Sequence, residues 1–373
     1  MSIARIQGRK AALRLALMQG LAFAALGLGA FWLFHITLVA LEARGIRTGL
    51  EFLFEPARSK VANAPFDFRP GEHTNGAALI AGALNTLKIT AACIALCSVL
   101  GLAIGLGRLS RHALVARVCA GLVEGVRNVP VLIQLSIWYM LLLSLPGPRV
   151  AEPVAGGALL LSNRGIYLAF PAADQLWLWS AGLLGLVLAG GWRRMGGIGL
   201  AGFGGVAVCL PWLVAGHLPV VIWPEAKGLR TVAGLSVTPE FAAFVLALSI
   251  YTATFVAEIV RAAILAVPRG QVEAAQALAL RPGTARRSVI YPQALRIALP
   301  SLGNEYLGVL KNSSLAVVVG YQEIVGVGNT VMFDTGQTVE VMGLLALYFL
   351  AVSLLVSAGV NWLNQRGARG LVR

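Results

Sequence analysis

Apolar residues in this chain come in long unbroken runs, not in stripes. Runs of roughly bilayer length cover 16–41, 77–107, 129–147, 174–191, 197–217, 239–262, 302–326 and 341–363. A membrane-crossing helix needs about 20 mostly apolar residues. Within lipid every backbone polar group must be paired inside its own segment, so such runs predict helices. A strand of a closed barrel would alternate apolar with polar residues, and these runs do not. The pattern predicts an all-α polytopic membrane protein with eight spans and both termini on one side. Two polar interruptions stand out, the irregular segment 42–76 and the loop 263–299.

Composition supports a membrane chain. Hydrophobic residues make up 58% and charged residues 12% of the sequence, against about 45–50% and about 25% in a soluble domain. The net charge of +14 would suit a nucleic-acid binder, but the basic residues sort by side. Arg5, Arg9, Lys10, Arg14, Arg108, Arg111, Arg117, Arg127, Arg193, Arg194 and all the arginines of 261–296 fall on one side. A smaller set, including Arg44, Arg58, Lys60 and Arg149, falls on the other. The more basic side is cytoplasmic by the positive-inside rule. That puts loop 263–299 and both termini inside and 42–76 outside, with no role for nucleic acid. The apolar stretch after the basic N-terminus is too long for a signal-peptide core and reads as an uncleaved first span.

The polar stretch Pro268–Gly283, PRGQVEAAQALALRPG, sits in the inner loop between two bilayer-length runs. Its Ala and Leu content favours helix over Gln271–Leu280. Glu273 is placed in the first turn, where a carboxylate complements the helix dipole. Arg281 stands at the other end, and Pro282-Gly283 stops the helix. Thr284 is placed as the cap of a second short helix, 285–290, bearing Arg286 and Arg287. Pro292 bends or ends that helix, and Pro300 marks entry to the next span. Ala274, Ala275 and Ala279 allow close approach of another backbone, while Leu278 and Leu280 offer an apolar face. On physics alone two readings stay open: a knob that docks in a partner's groove, or a connector lying on the inner leaflet.

Glu273-Ala274-Ala275, the small residue Ala279 and the ending Val289-Ile290-Tyr291-Pro292 resemble the EAA loop of type I ABC importer permeases. That family has Gly at the position of 279 and Leu at that of 291. Alanine keeps the close approach but lacks glycine's freedom at positive φ. YTATFVAEIVRAAI (251–264), PQALRIALPSLGNEYLGVLKNSSLAVVVGY (292–321), LNTLKIT (84–90), GRLSR (107–111) and RNVPVLIQLSIWY (127–139) resemble the polar amino-acid branch of that family. RGIRTGLEFLF (44–54), SNRGIYL (162–168) and the extra spans within 174–217 resemble its general L-amino acid permease type. The resemblance implies a type I importer fold whose cytoplasmic coupling helix uses Glu273, Ala274, Ala275, Ala279, Arg281, Pro282 and Gly283. It implies a permease domain over 79–363, with extra spans inserted at about 150–237, a leading segment 1–78 and a tail 364–373. It also implies a bacterial inner-membrane location and import of L-amino acids. The partners would be a second homologous permease subunit, a pair of ATP-binding subunits and a periplasmic amino-acid-binding protein, in a lipid bilayer and without a cofactor.

Other polar residues carry weaker signals. Lys311, Asn312, Ser313 and Ser314 fall inside the seventh run, where ionisable groups are costly. They read as a translocation path, or as a helix-packing site with Lys311 snorkelling or paired to Glu305; the second is favoured. Lys88 reads as a snorkelling lysine before a substrate ligand. Glu258 and Arg261, one turn apart, read as an ion pair. Trp138, Trp177, Trp179 and Trp223 match interfacial belts. Cys93 and Cys97, one turn apart in an apolar run without His or carboxylate neighbours, read as packed thiols and not as a metal pair. GIGLAG (197–202) imitates a dinucleotide motif but lacks the preceding strand and following acid. Small residues here and at Gly101/Gly105 suit helix–helix approach. No phosphate-binding Walker motif and no catalytic constellation is present, which excludes intrinsic ATP hydrolysis and weakens a membrane enzyme. An ion-coupled secondary transporter would show inverted repeats, broken helices and midplane carboxylates; no acidic residue is placed deep in a span.

Overall fold

The structure, a computed structural model, describes residues 3–43, 49–172, 220–227, 230–232 and 234–369. The expected spans 174–191 and 197–217, GIGLAG, Trp177, Trp179 and Cys209 lie outside these residues. The described chain is helical, as its unbroken apolar runs dictate, and separates into two compact units.

The first unit comprises Met1–Asn85 and Gln322–Val352. Helix α1 (Ile3–Ala43) is apolar over Leu17–Thr37, with Leu21, Phe23 and Trp32 all exposed, as suits a lipid-facing helix. Helix α2 (Asn75–Arg108) begins here. Helices α9 (Ile324–Thr335) and α10 (Thr338–Arg369) follow later in the chain. Segment 49–74, expected to be a plain outer connection, is folded. Phe52, Val61 and Phe68 are buried with Ile324, Val327 and Val341. Ser59 donates to Asp334 at 2.8 Å, and Asn85 Nδ2 donates to the Gln322 carbonyl at 2.9 Å. Its core residues are spaced irregularly, so no periodicity announced them.

The second unit comprises Thr86–Tyr321 and Ser353–Arg373. It contains α3 (Ala113–Arg127), α4 (Val131–Leu143) and α5 (Pro239–Leu265). Then come α6 (Arg269–Ala277), α7 (Pro282–Ala285) and α8 (Tyr291–Asn312). The α2–α5 seam is close because Gly101 and Gly105 lack side chains. A Cβ at Gly101 would lie 2.5 Å from the Val256 side chain, and one at Gly105 would lie 2.7 Å from the Ala257 carbonyl oxygen. The Gly-x-x-x-Gly expectation is met.

Two expected spans are corrected. Run 129–147 contains only the 13 residues of α4, about 20 Å of helix against a hydrocarbon core of about 30 Å. α3 precedes it at a 99° bend. Asn128-Val129-Pro130 makes the bend, since the residue before a proline is pushed out of helical geometry. Run 302–326 is not one helix either. α8 starts earlier, at Tyr291, and runs through Pro300, then tightens to a 3₁₀ turn over Ser313–Val319 and stops at Gly320 (φ +80°). α9 then begins, capped by the fully buried Glu323, whose Oε1 accepts from the Gly326 N–H at 2.9 Å. Broken helices and carboxylates at Glu305 and Glu323 therefore occur where an uninterrupted span without deep acids was expected. Among the described residues, four helices are long and apolar enough to cross a membrane, or up to six if each bent pair counts as one.

The sequence reading placed no strands, yet short ones flank the undescribed insertion. β1 (Pro153–Val154), β2 (Leu159–Ser162), β3 (Gly165–Leu168) and β8 (Leu235–Val237) form an antiparallel sheet in that order. Its register pairs Leu161 with Ile166, and Ile166 with Val237. β4 (Phe170–Pro171) pairs with β5 (Val221–Ile222). β6 (Glu225–Lys227) and β7 (Arg230–Val232) form a further hairpin. Strands of two to four residues give too few alternations to be read from sequence.

Candidate coupling loop and membrane polar groups

The loop between α5 and α8 is a compact helical knob. α6 starts at Arg269, two residues before the expected start, so Glu273 lies in its second turn, beyond the region where the dipole acts most strongly. The helix closes with a double turn: the Ala279 N–H donates to the Gln276 carbonyl at 2.8 Å and the Leu280 N–H to that of Ala275 at 3.1 Å. These two bonds define a Schellman cap, whose C′ residue is normally a left-handed glycine. Here Ala279 takes that conformation, with φ +51°. The turn that the family builds on glycine is thus made by alanine, at a backbone cost of about 1–2 kcal/mol.

Arg281 N-caps α7 and Pro282 occupies its first turn, so Thr284 does not cap the second helix as expected; proline's fixed φ starts it earlier. Arg286–Ile290 then form a π turn that leads directly into α8. Pro292 sits in the first turn of α8 and Pro300 inside it, so neither marks a boundary in the expected sense. Gln293 Nε2 donates to Gln271 Oε1 at 3.3 Å and braces α6 to α8.

The faces of the knob are distinct. Ala275 is 3% exposed, whereas Leu278 is 74% exposed. Glu273, Ala274, Ala279, Arg281, Pro282 and Gly283 are also exposed. Ala275 therefore packs inward, and the outward surface is Glu273, Ala274, Leu278 and Ala279. The sequence grouped Ala275 with the docking residues because small residues suit either side of a helix.

The other polar groups are sorted by their hydrogen bonds. Ser313 donates to the Leu310 carbonyl at 2.7 Å and Ser314 to that of Lys311 at 3.0 Å, so both hydroxyls bond their own turn. Asn312 is half-buried, and Lys311 is exposed with no ion pair among the described residues; the expected Glu305 partnership is not formed. Lys88 lies over Phe241, its Nζ 5.4 Å from the ring centroid. Glu258 pairs with Arg261 at 2.6 Å, as expected, and also with Arg108 of α2, which the sequence had placed only as a loop cation. Cys93 and Cys97 are buried free thiols. Trp138 packs on the core and Trp223 is half-exposed. Sequence reasoning overlooked Gln134, whose Nε2 donates at 2.9 Å to the carbonyls of both Val126 and Val129 and so grips the α3–α4 bend. A lone amide inside VLIQLSIWY was the available signal.

α6 is thus a short, largely exposed helix between the long helices α5 and α8. Residues 98–369 match the family described as "Binding-protein-dependent transport system inner membrane component", and the chain belongs to it. It is thus the non-enzymatic membrane part of an inner-membrane ABC transporter, a class that works with ATP-binding subunits. The chain is 36% identical over 360 residues to the general L-amino acid transport system permease protein AapQ of Rhizobium johnstonii, covering 91% of this chain and 88% of that protein. It is 38% identical over 355 residues to YhdX of Escherichia coli, whose designation as an amino-acid ABC transporter permease is provisional, covering 90% and 89%. The crystal structure of an amino acid ABC transporter with histidines overlaps 78% of this chain and 94% of its own at 24% identity and a TM-score of 0.47, a likeness too low to carry an argument.

Proposed function

We propose that this chain is a permease subunit of an ATP-driven importer of L-amino acids, paired with a second homologous permease. A periplasmic binding protein delivers the amino acid to the outer face. Two ATP-binding subunits press on α6 from the cytosol. In this reading both termini and 263–299 face the cytosol and 42–76 faces outward, in line with the two-sided arginine and lysine distribution. The observation that carries the reading is the exposed Leu278 at the end of a helix that is anchored through buried Ala275. A connector lying on the leaflet needs no helix closed by a Schellman cap.

No covalent step takes place in this subunit. ATP binding shifts an equilibrium between outward-open and inward-open states, so the α6 contacts must differ between the two. The names of the relatives support an amino-acid substrate. The test is reconstitution of the co-purified complex with its binding protein in proteoliposomes. ATP-dependent uptake of at least one of the twenty L-amino acids is expected. Uptake driven by an ion gradient without ATP would overturn the reading.

A further inference from the structure

An open pocket of about 390 Å³ lies between α2, α3 and α5, lined by Arg108, Glu124, Arg127, Asn128, Phe255 and Glu258 among others. That volume falls within the range of about 300–1,000 Å³ typical of small-molecule sites. Its charges divide into two groups. Glu258 is occupied by Arg108 and by Arg261, which holds it through Nε at 3.2 Å and Nη2 at 2.6 Å. Arg127 and Glu124, one turn apart on α3, are both exposed and form no direct ion pair with each other or with any other described residue, although Arg127 lies near enough to Glu305 of α8 for the two charges to attract.

Arg127 is nevertheless held in place. Its guanidinium carbon lies 4.6 Å from the centroid of the Phe255 ring. A cation over an aromatic face is attracted through that face, which leaves the guanidinium edge and its N–H donors free. Arg127 also lies within the bend that Gln134 grips on both sides, at Val126 and Val129. A fixed fork of donors and a carboxylate one turn away match the two charges every α-amino acid carries. Bidentate contact with a carboxylate is the arrangement a guanidinium favours.

We propose that this pocket holds the main-chain charges of the transported amino acid, its α-carboxylate on Arg127 and its α-ammonium on Glu124, with Gln134 as the positioning residue for both. The inference rests on the amino-acid importer reading and adds the site. Recognition of groups common to all amino acids leaves the side chain toward Phe255 and Asn128 and suits a broad substrate range.

The test uses the complete transporter in nanodiscs without binding protein or ATP, probed with radiolabelled L-glutamate, L-alanine and L-histidine. For the ligands that the wild type binds, Arg127→Gln weakens each by about tenfold or more. Arg127→Lys, which keeps the charge but not the fork, weakens them less. Glu124→Gln weakens binding of the same amino acids. Histamine, which lacks the carboxylate, competes poorly against the wild type and loses nothing further in Arg127→Gln. If Arg127→Gln fails to assemble, Arg127→Lys and Glu124→Gln carry the test. Unchanged affinity in the variants that assemble overturns the proposal, as does the absence of saturable binding in a complex that imports these amino acids. A complex that imports no amino acid at all instead removes the importer reading on which it rests.

Discussion

Ala279 places a single residue under backbone strain at the end of α6. Its φ of +51° is imposed by two cap bonds that fix Ala275, Gln276, Ala279 and Leu280. Glycine at this position would remove the Cβ penalty. Ala279→Gly is therefore expected to stabilise the cap by up to about 1 kcal/mol, partly offset by glycine's greater freedom when the cap opens. The check is hydrogen exchange of the Leu280 amide, which should slow by up to about fivefold if its opening tracks cap stability. Unchanged or faster exchange would mean that the strain is relieved elsewhere. The sequence had shown that alanine replaced the family's glycine; it could not show that the cap bonds would hold alanine in the glycine conformation.

At the scale of elements, the α2–α5 seam follows from residues that are absent as much as from those present. Gly105 lets the Ala257 carbonyl approach to within 2.7 Å of where a Cβ would stand. Gly105→Val must push two backbones apart, at about 1–3 kcal/mol or more. A lower unfolding temperature of the detergent-solubilised chain is expected, with a smaller effect for Gly121→Val, where a Cβ meets nothing within 4 Å. Equal effects would contradict the seam. This seam was legible because Gly-x-x-x-Gly is a local pattern. The bends were not, because hydropathy reports only that residues are apolar. It does not distinguish a continuous helix over 302–326 from one that tightens at Ser313 and stops at Gly320. The strands around 153–172 were equally hidden, since they are set by cross-strand partners such as Val237 and not by their own periodicity.

For the whole molecule, continuous apolar runs established a helical membrane chain, and the EAA-like motif pointed to the loop proposed for coupling. The outward and inward faces of that loop needed coordinates, because Ala274 and Ala275 are identical in sequence and opposite in exposure. The charged pocket was hidden for the same reason: Arg108, Arg127 and Glu258 belong to three helices. The central claim is that α6 transmits the work of ATP to the spans. The most direct measurement compares ligand-stimulated ATP hydrolysis and uptake in the reconstituted complex for the wild type, Glu273→Lys and Ala279→Asp at equal membrane abundance. Aspartate tolerates the left-handed conformation better than most residues, so Ala279→Asp leaves the backbone largely intact while burying an unpaired charge at the docked face. That burial costs roughly a few kcal/mol. Both variants are expected to insert normally and to lose uptake and the response of ATP hydrolysis to loaded binding protein. Wild-type uptake and stimulation in Ala279→Asp would contradict the account.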